Sequence, residues 1–575
     1  MYKTLRLFFQ KGGVVDVNLR MAHILFRLWA VGLGVLHVYA AITSQSMNAD
    51  GISYLDIGDA YFRADWANAI NPVWSPLYSW ILGLANSVIR PSIQWEFPVV
   101  HLVNFGIYLL ALVSFEFLWK RVRRSEASNE TYAIPDLWWW TLGYLLFIWI
   151  SLSLIELWAV TPDMLMAVFV FLAAGLLAQI RAGEETRWSH LSLGLVLGFG
   201  YLSKSFMFAA SIVFLAITWI VLKRSGRKIL LAVSVFLLVS LPFILLISEK
   251  KGKLTIGESG TVTYLRYANR MPFPHWQGDP QRGIIPTHLS RIIHRSPAVY
   301  EFDGPIGGTY PISTDPSYWY EGVEPRFDIA GLLARLFASG LVYGEVFFHR
   351  QGILVACVIV LYMMRQGRKY TLQETLERWT LVIPALVAFG LYGTVLVEGR
   401  YVGAFILLFW ADILGNIRLP NVPVNRLWLR ALSSIAAFGL LANILLFNLD
   451  GFTRLSPSWQ TGPSAAAALP AKPLPVARTL QELGVRPGDR VGVIGYGYDS
   501  FWARLARVRI VAEMLEADAD GLWRGDQALR QSVLQAFAKA GVDAVVAEYV
   551  PGYAGLHDWH QVGNSNYYIY VFREQ

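Results

Sequence analysis

The chain has 575 residues, 55% hydrophobic and 16% charged. A soluble protein of this length carries more charge, so the composition excludes an ordinary soluble enzyme and indicates a polytopic membrane protein. The net charge of +8 does not point to nucleic acid, because the basic residues stand in short clusters between apolar stretches, a pattern that membrane topology explains. The lone cysteine, Cys357, excludes an intramolecular disulfide and a cysteine-built metal site.

In chain order, a polar start from Met1 to Arg20 leads into a span too long for a signal core and without a small-residue cleavage pattern, so the first span is expected to remain as an anchor. Apolar windows of about twenty residues fall at 22–43, 96–119, 138–158, 163–180, 189–203, 206–222, 229–247, 346–364, 379–397, 402–417 and 430–449, eleven candidate spans. Basic clusters follow on one side only: Lys3, Arg6, Lys11 and Arg20; Lys120, Arg121, Arg123 and Arg124; Arg181 and Arg187; Lys223, Arg224, Arg227 and Lys228; Arg365, Arg368, Lys369 and Arg378; Arg418, Arg426 and Arg430. This asymmetry puts the N-terminus inside and the C-terminus outside, as an odd span count also requires.

Three pieces then lie outside. The first, 44–95, packs Asp50, Asp56, Asp59 and Asp65 among aromatic residues, and its Leu77–Ile89 segment reads as a helix on the membrane surface, too short to span. Asp59 and Asp65 read as solvated carboxylates. The second, 248–343, is rich in Gly, Pro and aromatics, with Gly-Pro-Ile-Gly-Gly-Thr-Tyr-Pro at 304–311, and reads as an ordered lid or binding loop. The third follows a Pro/Ala/Ser linker at 456–475. From 476 to 575 helix- and strand-period segments alternate, which indicates a small α/β domain. Its Gly495-Tyr-Gly497 reads as a tight turn, since no third glycine completes a dinucleotide fingerprint. His557-Asp-Trp-His560 reads as a surface turn and not a metal site.

The run Asp50-Gly-Ile-Ser-Tyr54, followed by Asn71-Pro-Val-Trp-Ser-Pro-Leu-Tyr78, resembles the first extracytoplasmic loop of the GT-C superfamily, integral-membrane glycosyltransferases that take sugars from polyprenyl-phosphate donors. Thr161-Pro-Asp163-Met-Leu resembles the second acidic motif of that superfamily, and Glu398-Gly-Arg400-Tyr401 its Glu-x-Arg-Tyr element. These elements fall on one side of the membrane in a topology derived without them. The resemblance, which extends to protein O-mannosyltransferases and the aminoarabinose transferase, implies Asp50 and Asp163 as catalytic carboxylates, Asp50 as the base that takes the acceptor proton. Tyr54, Tyr78, Glu156, Lys204, Glu398, Arg400 and Tyr401 would line the substrate site. Arg400 would grip phosphate oxygens in two places at once and Glu398 would hold it. Lys204, between Ser203 and Ser205 on the outer side, suits a phosphate as a point charge; Arg266 and Arg270 of the long loop are further cations for it.

Each residue also has a plainer reading. Asp50 caps the helix entered at Gly51; Thr161, Pro162 and Asp163 open a helix as N-cap, first residue and dipole partner; Lys204 snorkels; Arg400 and Glu398 are a structural pair. A divalent ion could be shared by Asp50, Asp163 and Glu156, but it lacks histidine support, so no cofactor is certain and the divalent metal stays open. What the resemblance implies is an inverting glycosyltransferase at the outer face of a bacterial inner membrane. It would move a hexose or pentose from the lipid donor to a glycan, lipid or protein acceptor. A lipid-linked-sugar flippase or a non-catalytic scaffold are the alternatives, although transporters place polar groups at the midplane and this chain gathers them at one surface.

Overall fold

The computed structural model describes residues 19–45, 47–123, 131–222, 225–273, 275–279, 281, 283–364, 379–455, 473–554, 556 and 558–572, without the side chains of 447–455. Lys3, Arg6, Lys11, Arg124, Lys223, Arg224, Arg365, Arg368, Lys369, Arg378, His557 and most of the 456–475 linker lie outside those residues.

Long apolar stretches with few charges satisfy their backbone inside a membrane within each segment when they form helices, and these do. The bundle helices are α1 (Leu19–Ser44), α4 (Glu96–Val122), α5 (Asp136–Trp149), α6 (Asp163–Arg181), α7 (Arg187–Ser203), α8 (Met207–Val221), α9 (Gly226–Lys251), α11 (Ile329–Gly344), α12 (Gly352–Met363), α13 (Val382–Gly393), α14 (Gly399–Gly415) and α15 (Pro423–Leu455). Seven of them are long and apolar enough to cross a membrane: α1, α4, α5 with its terminal π turn, α6, α9, α11 with its π turn, and the Pro423–Leu446 part of α15. Between α1 and α4 lie α2 (Ala49–Phe62) and α3 (Pro76–Ile89); after α9 comes α10 (Ser259–Tyr267). The central α6 packs on α4, α7, α8 and α14.

The helix α11 differs from the sequence expectation, which left residues 329–343 in the irregular loop. Arg335 interrupts its apolar run, which hides it from a window count. The Asp328 carboxylate nevertheless caps it by accepting from the Gly331 N–H at 2.9 Å. A π turn, Glu345–His349, joins it to α12. Along this stretch Ser339 donates to the Gly393 carbonyl, Tyr343 to Phe389 and Tyr362 to Ile413. The partners progress from the end of α13 that adjoins Arg400 to the far end of α14, so α11 and α12 run beside them in succession.

The segment expected to be helical at 77–89 forms the short helix α3. Pro76 occupies its first turn, where a missing N–H costs nothing. Tyr78 and Leu82 are buried and Leu84, Val88 and Ile89 are exposed. It crosses α2 at Gly58 and Gly83: a Cβ on Gly58 would stand 2.8 Å from the Ser79 carbonyl oxygen. The glycines let the two backbones touch.

Beyond the linker come α16 (Pro473–Glu482), β5 (Arg490–Gly495), α17 (Phe501–Ala506), β6 (Arg509–Leu515), α18 (Glu516–Arg524), α19 (Gln527–Lys539), β7 (Ala544–Ala547), β8 (His560–Gln561) and β9 (Tyr568–Val571). Two earlier strands, β2 (Arg291–Arg295) and β3 (Ala298–Glu301), form a hairpin in the long loop; β1 (Thr131–Ala133) and β4 (Arg418–Pro420) pair separately. The large sheet has seven strands in the order β2-β3-β6-β5-β7-β9-β8, with β5 parallel to β6 and β7. The hairpin pairs with it through β3 and β6, Tyr300 opposite Glu513. The long loop and the C-terminal segment therefore share one sheet, although they are far apart in sequence.

Candidate active site

Helix α2 begins where the first span ends. The N-cap position is Asn48, and Asp50 lies in the first turn. Its Oδ2 accepts from Arg400 Nη1 at 2.9 Å and its Oδ1 from the Tyr498 hydroxyl at 3.1 Å. The cap reading of Asp50 is therefore replaced by a two-sided grip on the carboxylate. Asn48 Oδ1 accepts from the Val160 N–H at 2.7 Å and ties α2 to the α5–α6 loop. A Cβ on Gly51 would lie 2.8 Å from Val160 Cβ, so a glycine is what allows that approach.

Asp163 opens α6 and is 1% exposed. Pro162, not Thr161, stands at the N-cap position. Lys204 follows the last residue of α7 and reaches Asp163 Oδ1, with its ammonium 3.8 Å above the Tyr401 ring. Burial pushes the Lys204 ammonium below the usual lysine range, and the Asp163 charge opposes that. Arg400 opens α14 between the two acids: Nε is 2.7 Å from Glu398 Oε2 and 4.0 Å from Asp163 Oδ2. One guanidinium thus bridges Asp50, Asp163 and Glu398.

Above Asp50 lies a cavity of about 390 Å³, lined among others by Asn48, Glu156, Trp158, Glu398 and Arg400. Its wall is the end of α5, which widens into a π turn at Ile150–Leu154. Glu156, at φ 64°, faces this cavity. Tyr54 and Tyr78 are buried beneath: their rings meet edge-on at 5.0 Å, and the Tyr78 hydroxyl donates to Asn104 at 2.6 Å. They shape the floor and do not line the opening. Arg266 stacks over Phe273 at 4.4 Å, and neither it nor exposed Arg270 is among the residues lining the Asp50 cavity.

Arg400 occupies the position that an ion shared by Asp50 and Asp163 would need. Among the described residues there is no group of three His, Cys, Asp or Glu that could hold a metal. The donor set therefore does not fit a divalent ion, whose oxygen cage would have to displace that guanidinium.

Several residues were not legible as parts of this region. Tyr498 arrives from the Gly495–Asp499 turn after β5. Burial and then the Asp50 charge hold its phenol well above its ordinary range, so it stays a donor; the same two causes raise the Asp499 carboxyl. One helix further, Arg504 is 3% exposed and touches Asp56 at 2.7 Å, Asp59 at 2.7 Å and Glu96 at 2.8 Å. Arg507 adds contacts to Asp59 and to Glu96, the latter at 2.9 Å. Asp59 is thus no solvated carboxylate: burial pushes it up, and the Arg504 and Arg507 guanidiniums outweigh this and hold it below the usual range. Asp65 caps the turn at Trp66–Ala69. The Gly-Pro-Ile-Gly-Gly-Thr-Tyr-Pro run docks here too, with the Thr309 N–H on Asp56 Oδ2 at 2.7 Å.

No protein-family model matches the chain, and no curated protein does. Among solved structures the chain is similar to ArnT from Cupriavidus metallidurans bound to undecaprenyl phosphate, with 12% identity and a TM-score of 0.50 over 94% of this chain and 97% of that one. The apo state of that ArnT gives 13% identity and a TM-score of 0.47 over 94% and 98%. The oligosaccharyltransferase AglB of Archaeoglobus fulgidus, in complex with an inhibitory peptide and a dolichol-phosphate, gives 12% identity and a TM-score of 0.38 over 91% and 69%. At these identities the likeness is one of fold, and the first comparison carries it. The chain is a multi-pass helical membrane protein that shares the fold of that ArnT.

Proposed function

We propose that the protein is an inverting glycosyltransferase that moves a sugar from a polyprenyl-phosphate donor to an acceptor hydroxyl of a cell-envelope glycan, lipid or protein at the outer face of the membrane. The observation that carries this reading is the Asp50 carboxylate, held by donors on both oxygens at the edge of a cavity that it shares with Arg400. A base that takes a proton as a bond forms must be fixed and reachable, and Asp50 is both. The lipid-phosphate chemistry is carried over from the similar ArnT structure, which is bound to undecaprenyl phosphate.

The step balances on named groups. The acceptor hydroxyl gives its proton to Asp50, and its oxygen forms a bond to the anomeric carbon from the face opposite the phosphate. The anomeric carbon–oxygen bond to phosphate breaks, and its electron pair leaves with the polyprenyl phosphate. Arg400 and Lys204 are the cations at hand for that growing negative charge. Both are already paired, Arg400 with Asp50 and Glu398 and Lys204 with Asp163, so a phosphate would share them with carboxylates. Asp163 acts by holding Lys204 and Arg400 in place. Tyr401 supplies the aromatic face against which Lys204 rests.

The test is sugar transfer by purified wild type and Asp50→Asn across a panel of polyprenyl-phosphate sugars, with cell-envelope extract as acceptor. The expected result is transfer by the wild type from one class of donor and loss of transfer in the variant. Transfer by Asp50→Asn at the wild-type rate removes Asp50 as the base; transfer from no donor overturns the enzymatic reading.

A further inference from the structure

We propose that the C-terminal α/β domain forms the acceptor side of the active site, with Tyr498 as the positioning residue that aims Asp50 Oδ1 at the acceptor hydroxyl. This rests on the glycosyltransferase reading and goes beyond it, because it assigns acceptor recognition to a segment outside the membrane bundle.

The two oxygens of Asp50 are not equivalent. Oδ2 is bound to Arg400, which belongs to the cation cluster with Lys204. An oxygen bound to a guanidinium is the poorer proton acceptor, because charge moves toward the cation. Oδ1 faces the other way, toward the Gly495–Asp499 turn, and its partner is a neutral phenol. The proton of the incoming hydroxyl therefore goes to Oδ1, and the acceptor arrives beside Tyr498. As the proton moves to Oδ1, the acceptor oxygen bonds to the anomeric carbon and the lipid phosphate departs with the electron pair of the broken bond; Tyr498 keeps its own proton throughout.

The turn is built to hold that phenol still. Its Gly497 N–H donates to Glu513 Oε1 at 2.6 Å, and Glu513 Oε2 takes the Tyr310 hydroxyl at 2.8 Å and His275 Nε2 at 2.6 Å. The Tyr310 and Tyr496 rings lie 6.3 Å and 6.1 Å from the Tyr498 ring. On its other flank the turn leads into the helix of Arg504, which is locked to Asp56 and Asp59 of the helix that carries Asp50. A domain that served as a brace would need the Arg504 contacts. It would not need a hydroxyl on the reacting carboxylate.

The experiment is steady-state transfer by the full chain, with donor and acceptor varied separately, for wild type, Asp50→Asn and Tyr498→Phe, alongside thermal unfolding of each. Tyr498→Phe keeps the ring packing and loses one hydrogen bond to a charged group, so kcat is expected to fall about tenfold, with a raised acceptor KM and an unchanged donor KM. Wild-type kcat and acceptor KM in Tyr498→Phe overturn the inference and leave the reading intact, provided that the wild type transfers and Asp50→Asn does not. If Tyr498→Phe unfolds at lower temperature, Tyr498→His, which returns a donor to the position, decides: recovered kcat supports the inference, and low kcat with a wild-type acceptor KM overturns it. A wild type that transfers from no donor overturns the reading and this inference with it.

Discussion

Helix α2 carries two clusters of the same chemistry. At its start Asp50 meets Arg400, each 22% exposed, beside a cavity of about 390 Å³. Near its end Asp56 and Asp59 meet Arg504, which is 3% exposed, with Glu96 closing the ring. Both join carboxylates to guanidiniums across distant parts of the chain, and neither is distinguished by residue type. What separates them is room. The first leaves space for a reacting molecule, and the second is sealed, so it fastens the α/β domain to the bundle.

Substitutions at the two clusters should part activity from stability. The largest effect is at the open one: Asp50→Asn should lower kcat by about 10²–10⁴-fold in transfer assays while the melting temperature stays near that of wild type. A large loss of stability in that variant would erase the distinction. At the sealed cluster, Arg504→Met leaves three carboxylates without their buried cation and should cost about 3–5 kcal/mol, read as a lowered melting temperature of the detergent-solubilised protein.

A smaller effect sharpens the contrast within the α/β domain. Burial pushes the Glu548 carboxyl up to about 7, against hydrogen bonds from Trp502, Ser500 and the Tyr496 N–H. Between its ordinary value and about 7 the folded state binds more protons than the unfolded chain. That contribution is therefore complete below the ordinary carboxylate range, declines as pH rises, and is lost above about 7. Asp59 runs the opposite way: its contribution is present above its ordinary value and is lost as pH falls through its depressed one. Glu548→Gln should flatten the decline of melting temperature between pH 5 and 7, roughly one side chain's worth of linkage. The smallest expected effect is none at all: because Arg400 bridges the acids, chelation with EDTA should leave the transfer rate unchanged.

The open cluster was legible because short runs around Asp50, Asp163 and Arg400 resemble GT-C motifs, and because an acid or a cation at the end of an apolar stretch stands out. Asp50, Asp163, Lys204 and Arg400 are adjacent in space; Asp50 lies in the first turn of α2, and the other three begin or follow a bundle helix. The sealed cluster left no such mark. Arg504 lies in Phe-Trp-Ala-Arg-Leu-Ala, a short helix in which an arginine ordinarily faces water, and Asp59 lies near the end of helix α2 among residues that read as solvated; only the tertiary contact makes either one buried. The same holds for Tyr498, whose turn was legible as a turn but not as a neighbour of Asp50. Strand pairing across the linker was hidden for a related reason, since register between β3 and β6 is set by packing and not by any local signal. Tyr54 and Tyr78, expected at the substrate, are buried and are not among the residues that line the Asp50 cavity.

The shared sheet has a consequence for how the protein is made. The β2–β3 hairpin is synthesised well before β6, so during biogenesis β3 presents an unpaired edge until the segment around Arg509–Leu515 has been translated and delivered to the same side. An open edge of that kind invites misassembly, and long-range strand pairing is slow. By then the helices bearing Asp50, Asp163, Lys204 and Arg400 have all left the ribosome. The nascent protein therefore acquires its cations and acids first, and Tyr498 reaches Asp50 only as the α/β domain folds.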